Sequence, residues 1–450
     1  MGPLGSLLPR HRPKEAFWIL SSHVHAPLSE PFDVIIVGGR PAGASLAMRL
    51  GDQGLRVLIV ERDTFPSAPP VSVPFLINSS MALLDELGLE EAEYAGDAPR
   101  LRRFVIEVMG AIRAPLTVSP VGGRDYVYVV DRALLDTALW RALSRRPTVT
   151  ALEGVSFAGV LRGPAGEVCG VRLSDGQTAT APWVVGADGR YSPVAREVGA
   201  AVTEQRADVE TTLHYGYWRG VAPYEGDPTT IQIHSTGDGY SAIVMPTTQG
   251  RSAIVYQGRA DRYNADGLSI DEHYRAGLRR CPTLEARLGG AALCSKLVGM
   301  KRIGNLYRQA AGPGWALVGD AFHQKDSIDA QGIYDALIEA KLLASALGDW
   351  KRGDVSAVDA GARYAAEAVA ATRPMFQGTM ERLKREIYTD LPPWVARTVL
   401  RWMMTDAEYL RRASLVLSRQ MSPAEASAPG VMLGALGRGL WADLRGAPRS

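Results

Sequence analysis

Three stretches set small residues and carboxylates at spacings that suit a phosphate-bearing ligand. The first is "DVIIVGGRPAGASLAMRL", Asp33 to Leu50, where an apolar run meets Gly38 and Gly39 and a small-residue helix opens at Ala42 and Gly43. Gly38 allows a tight turn, Gly43 allows close helix–strand packing, and the free N–H groups of the helix start attract a pyrophosphate. Arg40 occupies the middle glycine position of the usual G-x-G-x-x-G pattern. Its side chain must point away from the ligand or bend over it, where a guanidinium would pair with a phosphate. Glu61 ends a second apolar run, "GLRVLIVERD", at the distance from which a carboxylate accepts hydrogen bonds from ribose hydroxyls.

The second stretch, "VVGADGRYSPVAREVG", delivers Asp188 and Gly189 from a buried strand, with Ser192 and Arg196 beyond. In the third, "GPGWALVGDAFHQKDSIDAQGIYDALIEAKLLA", Gly319 and Asp320 end a strand, and Gln331, Gly332 and Ile333 open a helix. An aspartate at a strand end suits a polyol hydroxyl, and a helix N-terminus favours negative charge.

These residues need a frame. Residues 33–63 read as a β-α-β unit, and alternating segments such as "TTLHYGYWRG", "TIQIHST" and "SAIVYQG" read as an antiparallel sheet covered on one face. The expected organisation is a loose N-terminal extension, 1–31, and a discontinuous nucleotide-type domain from 32–100, 126–200 and 301–350. A sheet domain from 101–125 and 201–300 is inserted, helices fill 351–420, and a Pro/Gly/Ala-rich tail, 421–450, is expected to be poorly ordered. With 46% hydrophobic and 22% charged residues the chain reads as a globular protein. A net charge of +2 and the lack of a long Lys/Arg run argue against a nucleic-acid partner. Cys169, Cys281 and Cys294 show neither zinc spacing nor a disulfide framework, which suits a cytoplasmic location, and no metal site is expected. No apolar run has transmembrane length, although peripheral membrane contact stays open.

In this order and separation the three blocks resemble the group A FAD-dependent monooxygenases, the aromatic hydroxylase-like flavoproteins, over about residues 33–345. The resemblance implies an α/β fold: a Rossmann-like FAD-binding domain with an inserted antiparallel β-sheet substrate domain and a helical C-terminus. It implies that Glu61 and Arg62 hold the adenosine part and that Arg132, in "DRALLD", touches the pyrophosphate region. Asp320 would take the ribityl chain, Asp188 would serve FAD and pyridine-nucleotide handling, and residues 331–333 would face the flavin pyrimidine. NAD(P)H would be a transient co-substrate. Oxygen, carried as the flavin C4a-hydroperoxide, would hydroxylate or epoxidise an aromatic, polycyclic or prenylated small molecule, such as a polyketide or quinolone, in secondary metabolism. The chain departs from the family pattern at Asp326 and Ser327, where prolines are usual, and at Tyr334, near a customary asparagine. "GGRPAGAS" and the G-D-A-x-x-x-K-D run resemble a bacterial branch that tolerates Arg40.

The substrate-lining candidates are His214, Tyr215, Tyr217, Trp218, His234, Tyr240 and Met245, of which strand alternation lets about half face a pocket. His323 and Lys325, just after Asp320, are the candidates for catalysis on the substrate and flavin side; Met375, Phe376 and Trp402 could cap the pocket. The competing readings are a flavin-dependent reductase of the geranylgeranyl-reductase type, a non-enzymatic flavoprotein-like binding module, and a simple NAD dehydrogenase. A halogenase is disfavoured because the chain has no W-x-W-x-I-P motif.

Overall fold

The computed structural model describes residues 28, 30–69, 71–72, 75–263, 267–389 and 392–445. The reading of residues 1–27 as a loose extension therefore lies outside the described residues.

The β-branched run Val34–Val37 is buried on both faces and forms the centre of a six-stranded sheet. Val57–Glu61 pairs with it in parallel on one side and Trp183–Gly186 on the other, with Val34 opposite both Val57 and Trp183. Val149–Glu153 and Trp315–Leu317 extend this parallel core, and Ala311–Gly312 closes one edge antiparallel. The helix Pro41–Asp52 covers one face; its proline stands in the first turn, where no N–H is needed, and its alanines are buried. It packs against the helix Gly332–Arg352, so the first and third blocks lie side by side although some 280 residues separate them in sequence. A three-stranded meander, Phe157–Arg162, Val168–Leu173 and Thr178–Thr180, sits beside this sheet.

The second large sheet has eight strands. Its centre is antiparallel: Thr211–Arg219, Arg251–Arg259, Tyr240–Pro246 and Thr230–Ser235. Arg103–Val108 joins it in parallel and is followed by Ile112–Thr117, which brings residues from the 101–125 region onto the 201–300 sheet. Alternation divides this sheet into two faces. Leu213, Tyr215, Met245 and Val255 share one apolar cluster with Phe75, Ile77 and Tyr334 of the nucleotide-type domain. Trp218, Ala242, Val244, Ile254 and Tyr256 share another with Tyr274, Leu278 and Leu284, from the helices Ile270–Arg279 and Pro282–Arg287.

The C-terminal part is helical further than its composition predicts. Beyond the helix Ala357–Leu383, the helix Ala407–Leu417 packs on Ile112–Thr117, and the stretch expected to be poorly ordered contains the helices Pro423–Ala426 and Pro429–Leu444. Ser422 and Glu425 form a reciprocal capping box on the shorter helix. Arg438 of the longer helix is paired with Asp406 at 2.6 Å. Among the described residues no helix is long and apolar enough to cross a membrane.

Candidate functional site

The fingerprint turn is held by close backbone contact. Gly38 has φ +108°, and a Cβ there would lie 2.3 Å from the Ala187 carbonyl oxygen; a Cβ on Gly43 would lie 1.8 Å from the Gly38 carbonyl oxygen. No side chain caps the helix at its N-terminus. Glu61 is buried and accepts the Gly39 N–H at 2.7 Å, which sets the carboxylate at the rim of the turn. Arg62 stays on the surface, its side chain 69% exposed.

Arg40 takes the first of its two possible directions. Its backbone is extended, so the position does not require glycine. The guanidinium donates to Asp136 at 2.6 Å and to Asp63 at 2.7 Å, and lies over the Phe65 ring. Although burial opposes it, the pull of Asp136 and Asp63 holds the guanidinium above its ordinary pKa. Asp136 is fully buried and also receives Arg132 at 2.9 Å, so both arginines of this corner converge on one carboxylate. The other arm of Arg132 donates to the Ser72 hydroxyl. Asp136, one helical turn after Arg132 in "DRALLD", is one residue the sequence reading missed; the i, i+4 spacing was its signal.

The second and third blocks meet in space. Asp188 accepts the Val194 N–H through Oδ2 at 2.9 Å, while its Oδ1 is buried without a partner. Burial pushes this carboxyl above its usual range. Arg190, directly after Gly189, reaches to 3.4 Å from Asp320 and donates to the Gly304 carbonyl, and its own carbonyl accepts the Gln324 amide at 2.6 Å. Gly319 donates its N–H to Glu339 Oε2 at 2.6 Å. Glu339 lies on the buried face of the helix Gly332–Arg352, and its Oε1 is 3.0 Å from His323 Nδ1. Burial pushes the Glu339 carboxyl up and His323 down to about 3, each toward its uncharged form. Glu339 thus braces the Gly319–Asp320 turn from beneath. A carboxylate interrupting an apolar helical stripe was the available signal.

His323 and Lys325 are turned inward. The His323 ring stacks on Tyr307 at 4.7 Å, and Lys325 forms a buried ion pair with Asp335 at 2.8 Å. Asp335 is also paired with Arg419, and Gln331 donates to the Leu417 carbonyl, so the C-terminal helices are fastened to the start of the helix Gly332–Arg352. That helix also lacks a side-chain N-cap, and Gly332 is exposed while Ile333 is buried.

Of the seven lining candidates, Tyr215, Tyr217 and Met245 belong to the sheet face that meets the nucleotide-type domain. His214, Trp218, His234 and Tyr240 do not. They alternate onto the opposite face: His214 stacks on Tyr263, Trp218 donates to Tyr274, His234 faces Glu107 and Tyr240 stacks on Tyr256. The correction follows from strand register, since neighbouring residues point to opposite faces. Met375 and Phe376 are buried in helix packing, with Phe376 against Tyr307, and Trp402 donates to Asp443.

The family model described as an FAD binding domain matches residues 31–377. The chain belongs to the aromatic hydroxylase-like FAD monooxygenases. It is 29% identical over 328 residues to the ubiquinone hydroxylase UbiL of Rhodospirillum rubrum, covering 70% of this chain and 72% of the relative. It is 28% identical over 338 residues to a digeranylgeranylglycerophospholipid reductase of Methanosphaerula palustris, covering 72% and 78%. Among solved structures, PqsL of P. aeruginosa in complex with 2-aminobenzoylacetate superimposes with a TM-score of 0.67 at 24% identity, covering 80% of this chain and 99% of that one. This FAD-dependent oxidoreductase shares with PqsL the fold. The residues at the turn fit the cofactor: a cradle that a Cβ on Gly38 or Gly43 would fill, two helix N-termini without side-chain caps, and the unpartnered Asp188 Oδ1.

Proposed function

We propose that the protein is an NAD(P)H- and O2-consuming monooxygenase that hydroxylates or epoxidises an aromatic, polycyclic or prenylated small molecule in secondary metabolism. The observation that carries this reading is the apolar sheet face of Tyr215 and Met245, which closes on Tyr334 at the start of the helix Gly332–Arg352. An organic ring or prenyl chain held there would lie at the pyrimidine end of the cofactor. Bound FAD would supply hydride acceptance and oxygen activation.

The chain's own groups bind, orient and exclude water. The first-turn N–H groups after Arg40 would take the pyrophosphate, Glu61 and Arg62 the adenosine part, and Asp320, braced by Arg190 and by Glu339 through Gly319, the ribityl chain. Arg132 would act near the pyrophosphate, and Asp188 would use its unpartnered oxygen toward the cofactor or the nicotinamide. Residues 331–333 offer the backbone of a helix start to the pyrimidine, where negative charge is stabilised. Tyr215, Tyr217 and Met245, with Leu410 and Leu417 from the C-terminal side, keep the substrate layer dry.

A second reading, reduction of an isoprenoid double bond, is favoured by the likeness to the archaeal reductase. A screen for substrate-stimulated NAD(P)H oxidation, with product mass, separates them. The expected product gains one oxygen and requires O2. A product that gains two hydrogens under anaerobic conditions would overturn the proposal in favour of the reductase.

A further inference from the structure

The helix Pro429–Leu444 is apolar on two sides. Its inward side is already occupied: Ala435 is buried, Gly439 lies against the Trp402 indole, Arg438 is paired with Asp406, and Asp443 accepts from Trp402 at 2.9 Å and from Arg401. Both charged side chains of the helix are therefore engaged by the protein. The outward side carries Leu433, Gly437, Leu440, Trp441 and Leu444, which fall within about 100° of arc on a helical wheel. Its four large side chains are 68%, 48%, 56% and 74% exposed. At the end of the stripe the Arg445 guanidinium lies over the Trp441 ring at 4.3 Å.

An uncharged stripe of leucines ending in a Trp–Arg pair needs a cover, and two observations choose among the possible ones. The four side chains present about 500 Å² of apolar surface, short of the roughly 800 Å² per partner that a stable dimer buries. Charge is also unevenly placed: residues 392–445 hold seven arginines, no lysine and four carboxylates, whereas the whole chain has a net charge of only +2. We infer that this stripe is a peripheral docking surface for an anionic lipid bilayer, with Leu433, Leu440, Trp441 and Leu444 seated at the acyl boundary and the arginine-rich helices toward the headgroups. The docked helix packs on the helix Ala407–Leu417, whose Leu410 and Leu417 belong to the apolar layer beside the candidate site.

Flotation of the FAD-loaded full chain with phosphatidylcholine vesicles, alone or containing about one third phosphatidylglycerol, tests the inference. The protein should float with the anionic vesicles, less so at high salt. The triple variant Leu440→Ser, Trp441→Ser, Leu444→Ser should float at least about tenfold less, with unchanged FAD content and melting temperature. Because these side chains are exposed, the variant tests the surface and not the fold, and flotation is read independently of any oxidation activity. Equal flotation of wild type and variant, or no flotation of wild type with either vesicle, would overturn the inference. So would a doubling of wild-type mass in solution that the variant abolishes without any vesicle binding, since the stripe would then be covered by a second copy.

Discussion

Arg40 offers the sharpest test of the site, because a side chain bent over phosphate and one held by carboxylates respond differently to the same change. In Arg40→Met the stem is kept and the guanidinium removed. The contact to buried Asp136 at 2.6 Å is charge-assisted, and such bonds contribute about 1.5–3 kcal/mol. Breaking a buried pair outright costs about 3–5 kcal/mol, but Asp136 retains Arg132, so the lower range applies. The contact to Asp63, whose side chain is 39% exposed, adds less than about 1 kcal/mol. The expected loss is about 2–3 kcal/mol, read as a lower urea midpoint of the apoprotein. The FAD affinity of the folded fraction should stay within a factor of about three. Pairing Arg40→Met with Asp136→Asn should recover about 1–2 kcal/mol of the summed losses, because the two side chains share one interaction. Arg40→Glu sets a third carboxylate beside Asp136 and Asp63 and should cost more than about 4 kcal/mol. An unchanged urea midpoint in Arg40→Met, together with FAD binding weakened more than about tenfold, would refute this account and return the guanidinium to the phosphate.

Gly43→Ala drives a methyl to 1.8 Å from the Gly38 carbonyl oxygen, so the variant should purify with at least about tenfold weaker FAD binding, measured by fluorescence titration of the apoprotein. Glu339→Leu strands the Gly319 N–H and His323 Nδ1, and should lower stability by about 2–4 kcal/mol and shorten FAD retention during dialysis. Trp218→Phe removes the 3.0 Å bond to Tyr274 on the outer face and should cost about 1 kcal/mol with unchanged KM, whereas Tyr217→Leu should raise the KM for the organic substrate; the reverse pattern would contradict the assignment of faces. Burial, reinforced by His273, pushes His214 down to about 4. The unfolded chain binds that proton near the ordinary histidine value, so between about pH 6.5 and 4 stability falls on acidification, by up to about 1.4 kcal/mol per pH unit. In His214→Phe that part of the slope should vanish; urea midpoints with an unaltered slope would count against it.

The nucleotide-type fold was legible because its signals are local. The apolar run 33–37, the turn at Gly38 and the small-residue helix each sit within a few residues, and backbone geometry alone demands them. The positions of Asp188 and Asp320 were readable for the same reason, just beyond the strands Trp183–Gly186 and Trp315–Leu317. Direction was not legible where side chains are long or strands alternate. Nothing in "GGRPAGAS" states whether Arg40 turns to a phosphate or to Asp136, which lies 96 residues away in the chain.

The sequence by itself therefore determined the α/β FAD-binding fold and the glycine turn after its first strand, because turn sterics and strand periodicity act over short stretches. Only the tertiary structure decided which partners those residues meet. It placed His214, Trp218, His234 and Tyr240 on the far face of the sheet, closed His323 against Glu339 and Lys325 against Asp335, and raised a helix from a tail whose composition argued for disorder. Each outcome depends on packing between separate elements of the fold. Register sets a strand's inward face, desolvation forces a buried polar group to find whichever partner is packed beside it, and docking on Trp402 and Asp406 gives the last helix the contacts that its own sequence cannot supply.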